Sequence, residues 1–412
     1  MVRYAMRSSL PATPAGGYTK RPAWYPTLAQ MNGLQTEPTC VPSSIKFTYS
    51  VLPLDQITPI VPYGAVIYDH VTPIDHGYIG IKSLYKEQSD RTEADWVPVV
   101  APADGTIVEL GSLGSPTSHR VVIRHGCNLV SVYMVLNKLT GVLAPYATQV
   151  ESSGSVSISL PIKAGQEFGR QRDNPLDFNI FDGTQWLSGF AEPYSYLFGE
   201  AWKPYTADPL PFFTASIRAA YESKMQRTVA PLFGKIDYDV VGAASGNWFL
   251  AGTIGYSGTS ISQVENATKE IPGGPVSGKN IGSYGHLSIS PDAVDTVRWI
   301  FSTGWWQDPA GDPKQFLITI ASGQPTPDKL TASSGIVVYK LNRYSFIEPA
   351  GSAPRGTSGP WAIGYTLSTG NTEGVVAVQV NANGTLSMEV DPSMTSISQF
   401  TGFTAAKRTY HR

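Results

Sequence analysis

The sequence predicts an all-β protein in two main parts, and three observations carry that expectation. Charged residues make up only 15% of the 412-residue chain, while 40 glycines, 32 prolines and 21 tyrosines supply turns and strands. Short runs with period-two alternation recur between clusters of Gly, Pro, Asn and Asp. One stretch alone, residues 213–228, carries a good helical period. We therefore expect an N-terminal barrel-sandwich-like β domain followed by a C-terminal antiparallel β-barrel or sandwich, a size that suits two or three domains.

Residues 1–45 are rich in Pro and polar residues and read as an extended arm that wraps the first domain or bridges to a neighbour. Residues 46–212 alternate strands and turns: "IKFTYSVL", "VPVVAPADGTIVEL", "HRVVIRHG", "NLVSVYMVL", "SVSISLPI" and "LDFNIFD". In the second of these, Ala103-Asp104-Gly105 reads as a tight turn between two strands, with Gly105 taking a positive φ. In "VSVYMVL", alternation places Val130, Val132, Met134 and Leu136 on one face. Within residues 213–228, Thr214 stands at the cap and Ile217, Ala220, Tyr221 and Met225 share a face. The segment 213–234 reads as a helical linker between the halves.

Residues 235–412 show about eight short strands at regular spacing, as a barrel or sandwich requires. "VVAVQVNANGTLSMEV" is a hairpin whose turn is built on Asn383-Gly384. No internal repeat is evident.

The net charge is −2 without a basic stripe, which argues against nucleic acid, whose phosphates demand clustered Lys and Arg. No apolar run reaches the length of a transmembrane span. The opening "MVRYAMRSSLPATPAGGY" carries positive charge without an apolar stretch behind it, so a signal peptide is not visible in it. Low charge and abundant Ser, Thr and Gly nonetheless favour an extracellular or cell-envelope location. Asn266 and Asn383 head Asn-x-Ser/Thr triplets. The two cysteines, Cys40 and Cys127, form no CxxC pair. They are a disulfide candidate in an oxidising compartment, with two buried thiols as the alternative.

The densest group of titratable residues is "YDHVTPIDHGY", which packs Asp69, His70, Asp75, His76 and Tyr78 together. His119 and His125 flank a strand and are expected at the surface. Gly-x-Ser-x-Gly, P-loop and dinucleotide-binding glycine patterns are absent from the sequence.

Four blocks between residues 60 and 182 then occur in a telling order: "VPVVAPADGTIVEL", "HRVVIRHG" with "VYMVLNKL", "IKAGQEFGR" and "LDFNIFD". Together they resemble the lysostaphin-type zinc endopeptidases. That resemblance implies a metal held by a His-x-x-x-Asp pair and by the second His of a His-x-His, with a further His for proton transfer. On these positions the chain carries His76 and Gly80, then Pro175 and Asp177, and Val135 in place of the proton-handling His. Glycine, proline and valine cannot ligate zinc or move a proton. The expectation is a scaffold that has lost its chemistry, without a cofactor. The rival expectation is a zinc endopeptidase with rearranged ligands His70, Asp75, His76 and Asp177.

In the second half, "SGNWFLAGT" resembles the first strand of lipocalin-like barrels, which implies a Trp packed under the barrel floor against a cation. Trp248 and Arg408 are the residues expected there. The mouth of such a barrel suits an apolar ligand. Trp299, Trp305, Trp306 and Trp361 are alternatively expected to form a sugar-stacking face. The function expected from the sequence is thus a non-catalytic, secreted or envelope protein. It binds a glycan, peptide or protein partner, or self-assembles; the alternatives are the zinc endopeptidase and an apolar-ligand carrier.

Overall fold

The structure is a computed structural model, and it describes residues 11–32, 42–67, 69–258, 282–306, 314–349 and 362–412. The fold is all-β. In chain order its first strands are β1 (Ile57–Val61), β2 (Gly77–Ile81), β3 (Val97–Val100), β4 (Gly105–Ser115), β5 (Ser118–Arg124), β6 (Leu129–Leu136), β7 (Lys138–Leu139), β8 (Ser155–Ile162), β9 (Glu167–Gln171), β10 (Leu176–Asp182) and β11 (Thr206–Ala207). An antiparallel sheet runs β1-β2-β10-β6-β5-β4-β8, with β11 paired to β10. A small sheet, β3-β9-β7, packs beside it. The first core lies between them and includes Val99, Ile107, Tyr133, Phe168 and Phe178.

The second half contains β12 (Gly246–Leu250), β13 (His286–Pro291), β14 (Trp299–Thr303), β15 (Lys314–Thr319), β16 (Val337–Ile347), β17 (Thr366–Val380), β18 (Leu386–Asp391) and β19 (Arg408–His411). These eight close into an antiparallel barrel, β19 returning to β12. Closure removes the exposed edges that an open sheet would present. Side chains fill the interior, among them Trp248, Phe301, Phe316, Tyr339 and Tyr410. Such packing argues against an apolar-ligand lumen. At the predicted hairpin, Val380 faces Leu386 and the Asn381 N–H donates to the Thr385 carbonyl (2.8 Å), with Gly384 at φ +81.

Several local expectations change. β3 and β4 do not pair with each other; β3 joins β9, and β4 lies between β5 and β8. Asp104 still organises the corner, accepting from the Ala164 N–H (2.9 Å) and the Lys163 ammonium (2.8 Å). Gly105 is needed for space, not for a positive φ. A Cβ there would stand 2.8 Å from both the Arg124 carbonyl oxygen and the Ile123 side chain. Gly105→Ala is therefore expected to lower stability by about 1–3 kcal/mol, read as a shifted urea midpoint. "IKFTYSVL" is buried through Phe47, Val51 and Leu52 but forms only an isolated bridge, Phe47 to Phe213.

The helix is shorter than predicted, Ala215–Glu222, and the Thr214 side chain makes no capping bond. It is also no free linker: Ile217, Tyr221 and Met225 belong to the first core. Within β6, Val130 and Val132 face one cluster with Met134 against it, while Leu136 turns into the first core. Val135 adopts φ +56, which reverses the alternation. His119 and His125 are buried, with Nδ1 of each against the carbonyls of Leu136 (2.9 Å) and Asp104 (3.1 Å).

The described part of the N-terminal arm lies on the first domain. Tyr25 donates its hydroxyl hydrogen to the Ala201 carbonyl (2.9 Å), and Trp186 donates its indole N–H to the Tyr18 carbonyl (3.0 Å). Cys127 is disulfide-bonded. Cys40, the other cysteine in the sequence, lies outside the described residues, as do Asn266 and Trp361. Among the described residues no helix is long and apolar enough to cross a membrane, which says nothing of strands.

Candidate functional site

Strand periodicity assembles the site. His76 immediately precedes β2, and Tyr78 and Gly80 follow at two-residue steps on the same face. On the neighbouring strand Asp177 lies directly opposite Tyr78. The loop before β2 returns His70 and Asp75 to this point. The sequence-predicted group His70, Asp75, His76 and Asp177 is thus brought together.

His76 is the hub. Its Nδ1 is 3.2 Å from Asp75 Oδ1, and its Nε2 is 3.2 Å from the Tyr78 hydroxyl and 3.6 Å from Asp177 Oδ2. The Tyr78 hydroxyl is in turn 3.4 Å from His70 Nε2. Burial alone would push His76 down, but the Asp177 charge and the Asp75 hydrogen bond outweigh it and raise its pKa. Burial lowers His70 to about 4, aided by the neighbouring His76 charge, so His70 is neutral at physiological pH. Asp177 is pushed up to about 6 by burial, partly offset by His76. Asp75 is held ionised despite its burial by Lys203 and His76.

Sequence reasoning did not find Lys203. Its ammonium is buried, 2.6 Å from Glu200 and 4.7 Å above the Tyr256 ring. Nothing in "EAWKPYTA" distinguishes this lysine from a solvated one. It acts at a distance along the chain and is explained only by the fold. The cluster therefore sets two cations, His76 and Lys203, against the carboxylates of Asp75, Asp177 and Glu200.

Beside Tyr78 and Asp177 opens a cleft of about 580 Å³. Its near wall is Val61, Pro62, Ala65, Val66 and Ile67, and its far wall is the outer surface of the barrel, with Asp292, Tyr344, Phe346 and Tyr365. Val135, Asn174 and Pro175 complete its floor. A β-branched residue at positive φ is costly, and at Val135 it stands next to Asp177. Gln171 holds that turn by donating from Nε2 to the Val135 carbonyl (3.0 Å).

A zinc ion of the peptidase type needs three converging protein ligands and an open fourth position. Here the Tyr78 hydroxyl stands between the two imidazoles, and His76 is engaged on both nitrogens. Gly80 contributes no side chain. Among the described residues, no group of three or more His, Cys, Asp or Glu is placed to hold a metal ion. The arrangement does not fit that metal site.

The tryptophan expectations are redistributed. Trp248 is buried at the barrel floor, but the cation on its ring is the Arg412 guanidinium (3.9 Å), not Arg408. Arg412 reaches Trp248 while donating to the carbonyls of Val240 (2.8 Å) and Ala243 (3.1 Å). Arg408 lies instead over Trp305 (3.5 Å). Trp299 begins β14 and packs with Trp306 against the barrel core, where Trp306 stacks on Phe316 (4.4 Å), while Trp305 lies beyond the strand between Tyr284 (4.2 Å) and Arg408. No protein-family model matches the chain, and no curated protein matches it.

Proposed function

We propose that the chain is a non-catalytic binding protein, built on a peptidase-type scaffold, that takes a peptide partner in the cleft beside Tyr78 and Asp177. The observation that carries this reading is the internal saturation of His76 between Asp75, Tyr78 and Asp177, next to a roomy and mainly apolar cleft. An imidazole so engaged has no free nitrogen with which to bind zinc or to activate water. The cleft is of the size and character of small-ligand and side-chain sites. An extracellular or envelope setting belongs to the same reading, and the disulfide at Cys127 supports it.

The test combines metal analysis with binding. Purified protein is expected to carry no stoichiometric zinc and to leave cross-linked wall peptides intact with or without added zinc. It is also expected to retain a fraction of such peptides in equilibrium dialysis. Chelator-sensitive cleavage, lost in His76→Ala, would replace this reading with the zinc endopeptidase. Retention of glycan strands but not peptides would redirect it to sugars, and a concentration-dependent oligomer without retention would redirect it to assembly.

A further inference from the structure

The chemistry of the cleft narrows its ligand, an inference that rests on the binding reading above. The charged groups among its described lining residues are of one sign, Asp177 and Asp292, without a lysine, arginine or histidine. Asp177 Oδ2 faces His76, but Oδ1 is buried and accepts no hydrogen bond among the described residues. Asp292 spends Oδ1 on the N–H groups of Val294 (2.9 Å) and Asp295 (2.7 Å), leaving Oδ2 with the Tyr365 hydroxyl at 3.4 Å. Beside these carboxylates stand three rings, with Phe346 in edge contact with both Tyr344 and Tyr365. Phe346 meets Tyr365 at 4.9 Å and 79°, and Tyr344 meets Phe346 at 5.8 Å and 89°.

We propose that the cleft binds an organic ammonium ion carrying an apolar body, with the N⁺–H donating to Asp177 Oδ1 and the body packed on Tyr344, Phe346 and Tyr365. A buried carboxylate oxygen without a donor is costly, and a ligand cation is the group that relieves it. Aromatic faces attract the same cation through their quadrupoles and accept its hydrocarbon part. An anionic ligand would meet two like charges. A neutral apolar ligand would seal the cleft while leaving Asp177 Oδ1 unmet. Burial raises the Asp177 pKa to about 6, so the carboxylate is largely ionised at pH of about 7.5, where the ligand would be recognised. The ammonium can come from a free amine or from a lysine side chain of a peptide.

Titration calorimetry with the full chain separates these cases. The free probes are phenylbutylamine, phenylbutanol and phenylbutyrate. The peptide probes are N-acetyl-Phe-Lys-amide and its Nε-acetylated form. The amine is expected to bind at least about tenfold more tightly than the alcohol, and the carboxylate not at all. Asp177→Asn is expected to erase the preference for amine over alcohol. Tyr365→Leu, which leaves the ion cluster intact, is expected to weaken the amine several-fold. Equal binding of amine and alcohol to the unmodified protein, or binding of neither, overturns the inference without any variant. If the free amine binds and both peptides fail, the peptide-partner reading falls while the cation cleft stands. If both peptides bind alike, the partner reading stands and the inference falls.

Discussion

Replacing His76 by alanine is expected to destabilise the first domain by about 3–5 kcal/mol, the largest effect of any single substitution in the site. The side chain is almost wholly buried and bridges two carboxylates that are equally buried. Its removal strands Asp75 and Asp177 in a low-dielectric setting, where Lys203 still acts on Asp75 but Asp177 loses the one cation that offsets its burial. Adding Asp177→Asn to His76→Ala is expected to recover part of the loss, because the second change removes one stranded charge. Urea unfolding followed by tryptophan fluorescence measures both. A midpoint for His76→Ala equal to that of the parent, or a double variant less stable than the single one, would show that the ion cluster does not hold this part of the sheet.

Acidification between pH 6.5 and about 4 is expected to destabilise the protein through three histidines, His70 in the site and the more deeply buried His125 and His286 outside it. Burial lowers His125 and His286 to about 4 each, against the opposing pull of hydrogen bonds to the carbonyls of Asp104 and Tyr256. Their unfolded counterparts titrate near pH 6.5, so over this window the unfolded chain binds more protons and stability is lost as the pH drops. The stabilisation is complete above about pH 6.5 and gone below about 4, on the order of 3 kcal/mol for each residue. His76 and Asp177, both raised, work in the opposite sense. Their contribution is greatest at lower pH and is lost as pH rises through their folded values. A His125→Gln, His286→Gln double variant is therefore expected to show a flatter acid limb when urea midpoints are measured from about pH 4 to 8. An unchanged limb would place the acid sensitivity elsewhere.

The site was partly legible because two of its members obey local rules. His76 and Tyr78 share a face by strand parity, and Asp177 lies in "LDFNIFD", whose apolar and polar residues largely alternate as a strand's do. The cleft was not legible. Its near wall comes from residues 61–67 and its far wall from residues 292–365, and no local pattern announces that a barrel's outer surface will be apolar. Val135 shows a second limit. Its sequence context reads as continuous strand, and nothing in it marks the reversal at φ +56, where Gln171 meets the Val135 carbonyl. Arg412 shows a third. Composition identifies a cation for Trp248, but Arg408 and Arg412 differ only in which one the closing strand carries past the barrel floor.

The barrel wall also bears on how the molecule can be dissected. Val294, Ile300, Leu317, Tyr365 and Leu367 form an oily strip on its outside, and Ala293 packs with Val61, Ala65 and Ile74 from the other half. Arg227 fastens the same seam through the Ala293 carbonyl (2.7 Å). The two halves are consequently not interchangeable modules. A fragment severed near residue 234 would leave Ala293 without its apolar neighbours and its carbonyl without the Arg227 guanidinium, at the edge of that strip.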